Sequence, residues 1–194
     1  KQGVGIGFAL GAILSLGSLF LSPLTAESAE TLKIGVLGPL SGGAAPWGIA
    51  LVRGAELRAE ELNAAGGVKV GGQTYTLKII SYDHKATAAE AATATNKLVF
   101  QDKVRYIIGN AVGATCDAAQ AITEREKVLF TFVCWGTKNL APSKPYSFRE
   151  LLSQWEVAPP LYSWISTNHP RLKRLAVISP NDTSGWDTST GVKN

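Results

Sequence analysis

Apolar residues in this chain fall into short β-branched runs, and these alternate with longer stretches of helical period. Residues 32–37, Leu-Lys-Ile-Gly-Val-Leu, run into Gly38-Pro39 and Ser41-Gly42-Gly43, which predicts a buried strand and a turn. Residues 47–65 predict a helix. Gly48, Val52, Ala55, Ala59 and Leu62 recur at steps of three and four, while Arg53, Glu56, Glu60 and Glu61 lie off that face. Gly66-Gly67 is expected to end it as a left-handed cap. After a turn at 70–73, residues 75–82 predict a second strand. Thr87 and Glu90 have capping-box spacing ahead of a helix that carries Ala88, Ala91, Ala92, Thr95, Leu98 and Val99 on one side.

The alternation continues with a strand at 104–108, a helix at 115–127 and a strand at 128–133. A polar stretch with Pro142 and Pro145 precedes a short run at 146–149. A helix at 157–168, with Pro159 and Pro160 in its first turn, and a strand at 175–178 complete the predicted elements. Repeated strand–helix alternation predicts an α/β fold with a parallel sheet and helices on both faces. Ligands of such sheets bind beyond the carboxyl ends of the strands, here at 38–47, 83–85, 109–115 and 134–137.

The N-terminus stands apart from this pattern. Behind Lys1, residues 3–24 are almost wholly apolar or small, and Ser22-Pro23-Leu24-Thr25-Ala26-Glu27-Ser28-Ala29 follows. A basic start, an apolar stretch and a small-residue exit predict a secretory signal over residues 1–29, cleaved after Ala26, Ser28 or Ala29. A retained membrane anchor is the competing reading, since about 20 apolar residues span a bilayer. The many glycines and Pro23 weigh towards cleavage. The chain starts at Lys1 and holds no methionine, and its last residues read as an element that does not finish. A piece of a longer protein is therefore expected.

Composition adds little beyond exclusions. The 194 residues are 45% hydrophobic and 18% charged, enough apolar material for a core. The net charge of +4 is scattered, with Arg171, Lys173 and Arg174 the densest group, and no basic stripe with interleaved aromatics argues for nucleic acid. Cys116 and Cys134 stand in no C-x-x-C pair and beside no histidine, so zinc is not expected. Both cysteines read as plain buried small side chains, or as a disulfide between neighbouring strand ends in an oxidising compartment. Asp83, His84 and Glu90 match no metal-ligand spacing. Residues 109–113 follow a strand and precede a helix, but they lack the third glycine of a dinucleotide loop and the Lys-Ser/Thr of a phosphate loop. With no catalytic constellation and no cofactor motif, an enzyme is not expected.

Ile34-Gly-Val-Leu-Gly-Pro-Leu-Ser-Gly42, Trp47-Gly48, Gly54-Ala55 and Leu62-Asn-Ala-Ala-Gly-Gly-Val68 occur in that order. Tyr82-Asp83, Ala91 to Val99, Ile107-Ile-Gly109, Lys127-Val-Leu129 and Phe148-Arg149 follow. Together they resemble the leucine/isoleucine/valine-binding protein family, the type I periplasmic binding proteins, over about residues 31–186. The resemblance implies two Rossmann-like lobes with the ligand between them. Lobe one would occupy residues 30–148 and lobe two would begin in 149–194, with the remainder of the cleft outside this chain. Lobe one without its returning segment would expose apolar sheet surface.

The resemblance also implies a binding site: Trp47 as the aromatic after the first strand, Gly113, Ala114 and Thr115 after the third, Cys134, Trp135 and Gly136 after the fourth, and Ser184 in lobe two. In amino-acid-binding members the latter two lobe-one loops hold the ligand carboxylate, which suits backbone N–H groups at a helix start. This chain departs from the pattern at Gly113 and Ala114, where hydroxyls are usual, and at Trp135-Gly136, where Ala-Thr is usual. Ser184 stands where the family has tyrosine, and Trp186 is the aromatic nearby. The implied function is an extracytoplasmic solute-binding protein of an ABC transporter. It would take a branched-chain-like amino acid, an amide or a small carboxylate, and deliver it to permease subunits from the periplasm. The alternative is a sensor of the same fold that reports its ligand to a regulator.

Overall fold

The computed structural model describes residues 29–110 and 112–193. The predicted export signal, residues 1–29, lies outside the described residues except for its last.

Six strands form one sheet: β1 (Glu30–Gly38), β2 (Val68–Val70), β3 (Gln73–Asp83), β4 (Tyr106–Ile108), β5 (Leu129–Phe132) and β6 (Ser147–Arg149), in the order β2-β3-β1-β4-β5-β6. All neighbours pair in parallel except β2, which folds back antiparallel on β3 through the turn before it. Among the described residues five α-helices accompany them: α1 (Ala45–Ala64), α2 (Ala88–Asn96), α3 (Gly113–Arg125), α4 (Gln154–Asn168) and α5 (Thr183–Lys193). The α/β class with a parallel sheet is therefore as expected.

The core lies between the sheet and the pair α2–α3. Leu37, Ile107, Phe130 and Phe132 pack there against Leu98, Ala119 and Ile122, all buried. Gly35 is small because Leu98 and Ile107 fill the space a Cβ would need, at 3.1–3.2 Å. Side chains alternate across a strand, so Ile34 faces the other way, with Leu77 and Ile79, towards Ala55 and Ala59 of α1. Beyond the cover of α1 this second face stays open, with Tyr106, Leu129 and Phe148 exposed.

The helix ends follow the chemistry of their caps. After α1, Gly66 and Gly67 take φ of 97° and 86°, and their amides return to Asn63 and Leu62 carbonyls. Thr87 accepts the Glu90 amide at the start of α2. α2 runs on through a wider turn at Lys97–Gln101, which brings Leu98 and Val99 into the core.

Two expectations need correction. The helix expected at 157–168 begins earlier, at Gln154, because Ser153 caps it: the Glu156 carboxylate accepts the Ser153 amide and hydroxyl, both at 2.6 Å. Pro159 and Pro160 thus lie inside α4 rather than in its first turn. The strand expected at 175–178 does not form, and Ile178 is 100% exposed. A strand is completed only by a neighbour's hydrogen-bond ladder, and no described strand lies beside this run.

Candidate functional site

The sheet is doubly wound. From β1 the chain crosses to β3 on one side, then returns past β1 to β4, β5 and β6 on the other. Loops leaving β1 and β4 therefore part in opposite directions, and a crevice opens at the carboxyl edge between them. A cleft of about 430 Å³ lies at this edge, lined by Pro39, Ala44, Trp47, Val112, Val133, Trp135 and Leu151. A smaller recess continues it past Gly48 and Leu51. The loops after β1, β4, β5 and β6 all contribute.

Local packing sets each wall. Gly48, in the first turn of α1, lies against Pro39: a Cβ there would meet the Pro39 carbonyl oxygen at 2.0 Å. Only glycine permits this approach, and it seats the start of α1, with Trp47, beside the loop after β1. Gly109 ends β4 at φ 129°, where a Cβ would strike the Leu37 carbonyl. The chain can thus leave β4 sharply towards Val112, the residue that caps α3. Arg149 ties the far side together, donating to the carbonyls of Leu151 at 2.8 Å and Gly136 at 3.4 Å and pairing with Glu156 at 3.3 Å.

Trp47 is 73% exposed and Trp135 40% exposed, and both line the cleft. Gly113 and Ala114 form the first turn of α3 beside Val112. Gly113 is buried against the start of α5: a Cβ on it would lie 2.9 Å from Ser184 Oγ and 3.1 Å from Asp182 Oδ2. Ser184 is half-buried and donates to Asp182 Oδ1 at 2.7 Å; the same oxygen accepts the Gly185 amide at 3.0 Å, so Asp182 caps α5 at the same end of α3. Gly136 is buried and packs on Asn139.

Of the eight expected site residues, Trp47 and Trp135 are in the lining and the other six are not, and the side chains of two of the six, Thr115 and Cys134, lie in the interior. Thr115 is fully buried, and its hydroxyl lies 2.7 Å from both Asn110 Oδ1 and the Val112 carbonyl. It secures the loop after β4 from beneath instead of facing the cleft. Cys134 is also fully buried, its sulfur joined to Cys116 in a disulfide with 6.5 Å between the Cα atoms. Its side chain braces the exit of β5 against α3 and does not reach the cleft. Of the alternatives left open for the two cysteines, the disulfide is the one formed.

Pro39, Ala44 and Val112 fall in strand-end segments expected to bind but were not singled out, and Val133 and Leu151 lie outside those segments. Their common signal is position, one to six residues beyond a parallel strand's carboxyl end. The docking of α5 was also missed: Asp187 accepts the Thr137 amide at 2.6 Å and its hydroxyl at 2.7 Å, and Thr183 donates to Asp117 at 2.5 Å.

Electrostatically the cleft lining is neutral, with no charged side chain among the described residues that form it. Val112, the N-cap of α3, belongs to the lining, which brings the positive end of that helix to the cleft. Beneath the loops, His84 is fully buried. Burial lowers its pKa below the ordinary imidazole value, against the Asn110 side chain and Asp83, which act to raise it.

A family model described as periplasmic binding protein matches residues 31–194. The Leu/Ile/Val-binding protein of Escherichia coli (strain K12) is 33% identical over 119 residues, 61% of this chain and 31% of that protein. A Pseudomonas aeruginosa protein that binds leucine, isoleucine, valine, threonine and alanine is 34% identical over 102 residues, 53% of this chain and 26% of its own length. The chain thus spans about a third of the curated relatives it matches. Among solved structures, the branched-chain amino acid transporter substrate-binding protein of Streptococcus pneumoniae, in complex with isoleucine, aligns with a TM-score of 0.64. It is 29% identical and matches 72% of this chain and 39% of its own. An ABC-transporter solute-binding protein of Rhodopseudomonas palustris, in complex with 3,4-dihydroxybenzoic acid, shares the fold with a TM-score of 0.70 at 23% identity. The match covers 84% of this chain and 43% of that one.

Proposed function

This chain belongs to the periplasmic binding protein family, type I, with the Leu/Ile/Val-binding proteins among its relatives, and from that premise we propose that it is the solute-binding component of an ABC transporter. In this reading it works in the periplasm after export and passes its ligand to permease subunits. Residues 30–148 form the first lobe, and the second begins at 149. The lobes close on the ligand by hinge motion, and the closed form is what the permease reads. The relatives are solute-binding proteins, and the role asks for binding without chemistry.

The observation that carries the proposal is the cleft itself, an apolar slot with two tryptophans at the switch point of the sheet, closed at one end by the start of α3. An apolar ligand body gains about 25 cal/mol per Å² of surface buried there. A carboxylate suits the amides of a helix's first turn, which have no partner within the helix. Small carboxylates with an apolar body fit both features, whether branched-chain amino acids or aromatic acids. Asp182 stands at the same end of α3, so the ligand's carboxylate competes there with a group of the chain's own.

Thermal-shift screening tests this directly, with leucine, isoleucine, valine, phenylalanine, benzoate, 4-hydroxybenzoate, short amides and urea as the panel. A ligand at a hundred times its Kd adds about 2.7 kcal/mol and raises Tm. Trp47→Ala is expected to weaken binding roughly tenfold through lost apolar contact. Its own Tm should change little, because the side chain is mostly exposed. A cooperative melt that no panel member moves would remove the small-carboxylate reading.

A further inference from the structure

We propose that Asp83 is a positioning residue for the cleft, holding the loop after β1 in the conformation that makes one wall of it; the inference rests on the cleft being the ligand site. Asp83 is the last residue of β3 and stands in register with Gly38, the last of β1. Its carboxylate reaches across the sheet edge. Oδ1 accepts the Leu40 amide at 2.8 Å and the Lys85 amide at 2.7 Å, and Oδ2 accepts the Ser41 hydroxyl at 2.5 Å. The next amide, His84, bonds the Gly38 carbonyl at 3.1 Å.

One side chain thus orders two loops at once. On the β3 side it steadies a turn in which Lys85 and Ala86 take φ of 48° and 56°, strained for residues other than glycine. On the β1 side it grips Leu40 and Ser41, the two residues after Pro39. Pro39 is a cleft wall, and from the other side it is pressed by Gly48 of α1. It is therefore held between Asp83's grip and the helix that carries Trp47. Asp83 itself is not part of the lining, so its effect on a ligand passes through the loop. Partial burial acts to raise its pKa, but the Ser41 hydroxyl and the Lys85 and Leu40 amides outweigh it and hold the carboxyl below its ordinary value. The group is charged at neutral pH, and charge-assisted bonds are the stronger kind.

The test compares the full chain with its Asp83→Ala and Asp83→Asn variants, well below their melting temperatures. Amide hydrogen exchange is followed in the segments 36–46 and 83–87. Asp83→Ala should speed exchange at Leu40 and Lys85 roughly tenfold or more, through loss of bonds to a charged acceptor. Asp83→Asn keeps an acceptor oxygen and should stay within about threefold of wild type. Affinities for leucine and 4-hydroxybenzoate should follow the same order, with Kd about tenfold higher in Asp83→Ala and rescued in Asp83→Asn. Should Asp83→Ala fail to fold, Ser41→Ala removes one of the three bonds and should give a smaller rise, about twofold to threefold. Unchanged exchange in the folded variants would overturn the inference. So would an unchanged Kd beside a lowered Tm, which marks a brace without influence on the cleft. If neither probe binds wild type, the ligand reading above fails, and exchange alone decides the role of Asp83.

Discussion

Trp47 and Trp135 come from distant parts of the chain and meet at one cleft. The family resemblance implied both as ligand contacts, in loops at the carboxyl ends of strands. Thr115 and Cys134 sit in equivalent loops and were read the same way, yet both are buried. A pattern of loops locates a residue to within a turn. Which way its side chain points depends on partners such as Asn110, 5 residues from Thr115, and Cys116, 18 from Cys134. His84 shows the energetic side of this. Its Nδ1 accepts the Ala86 amide at 3.0 Å, and burial lowers its pKa. The folded protein therefore keeps it neutral at a pH where the unfolded chain, near the ordinary value of about 6.5, takes up a proton. Stability is expected to fall as pH drops through that value, and the fall should cease once folded His84 protonates. Thermal melts at stepped pH should show this slope in wild type and a flatter one in His84→Gln. An equal slope in both would assign the titration elsewhere.

Helices and strands with a clear period were predicted to within a few residues, since their apolar faces match the faces they bury. Gly48, Ala59, Ala91, Thr95, Leu98 and Val99 are all buried. The misses are those whose outcome depends on a partner. Strand β2 exists only because it can fold back on β3, and the run at 175–178 stays irregular because no strand lies beside it. The start of α4 was written in Ser153 and Glu156, a capping box that the two prolines obscured. The disulfide belongs to this scale as well. It links α3 to the exit of β5 across 18 residues, and closing a loop of that length stabilises by about 3 kcal/mol in the chain-entropy account. A double Cys116→Ala/Cys134→Ala variant should lose about that much in urea unfolding, and reductant should bring wild type to a similar value. A loss of a few tenths would mean the loop is already constrained in the unfolded chain.

Over the whole molecule, strand–helix alternation was enough to predict a parallel sheet. The order β2-β3-β1-β4-β5-β6 was not predicted from residue pattern, and it is that order which places the crevice between β1 and β4. The apolar sheet surface expected to be exposed is present beyond α1, around Tyr106, Leu129 and Phe148. α5 is held to the segment after β5 by Asp187 at Thr137 and to α3 by Thr183 at Asp117 and Ser184 beside Gly113. Residues from both proposed lobes thus gather at one end of α3. The central claim is that a small apolar carboxylate binds at this switch point. Fluorine NMR of the protein labelled with 5-fluorotryptophan tests it most directly, because the chain has five tryptophans and only Trp47 and Trp135 line the cleft among the described residues. Titration with leucine or 4-hydroxybenzoate should shift the Trp47 and Trp135 resonances, assigned by Trp→Phe substitution. Trp164, stacked edge-on against His169 at 5.4 Å near the end of α4, should stay fixed. Saturable binding that moves Trp164 and leaves Trp47 and Trp135 unchanged would contradict the claim.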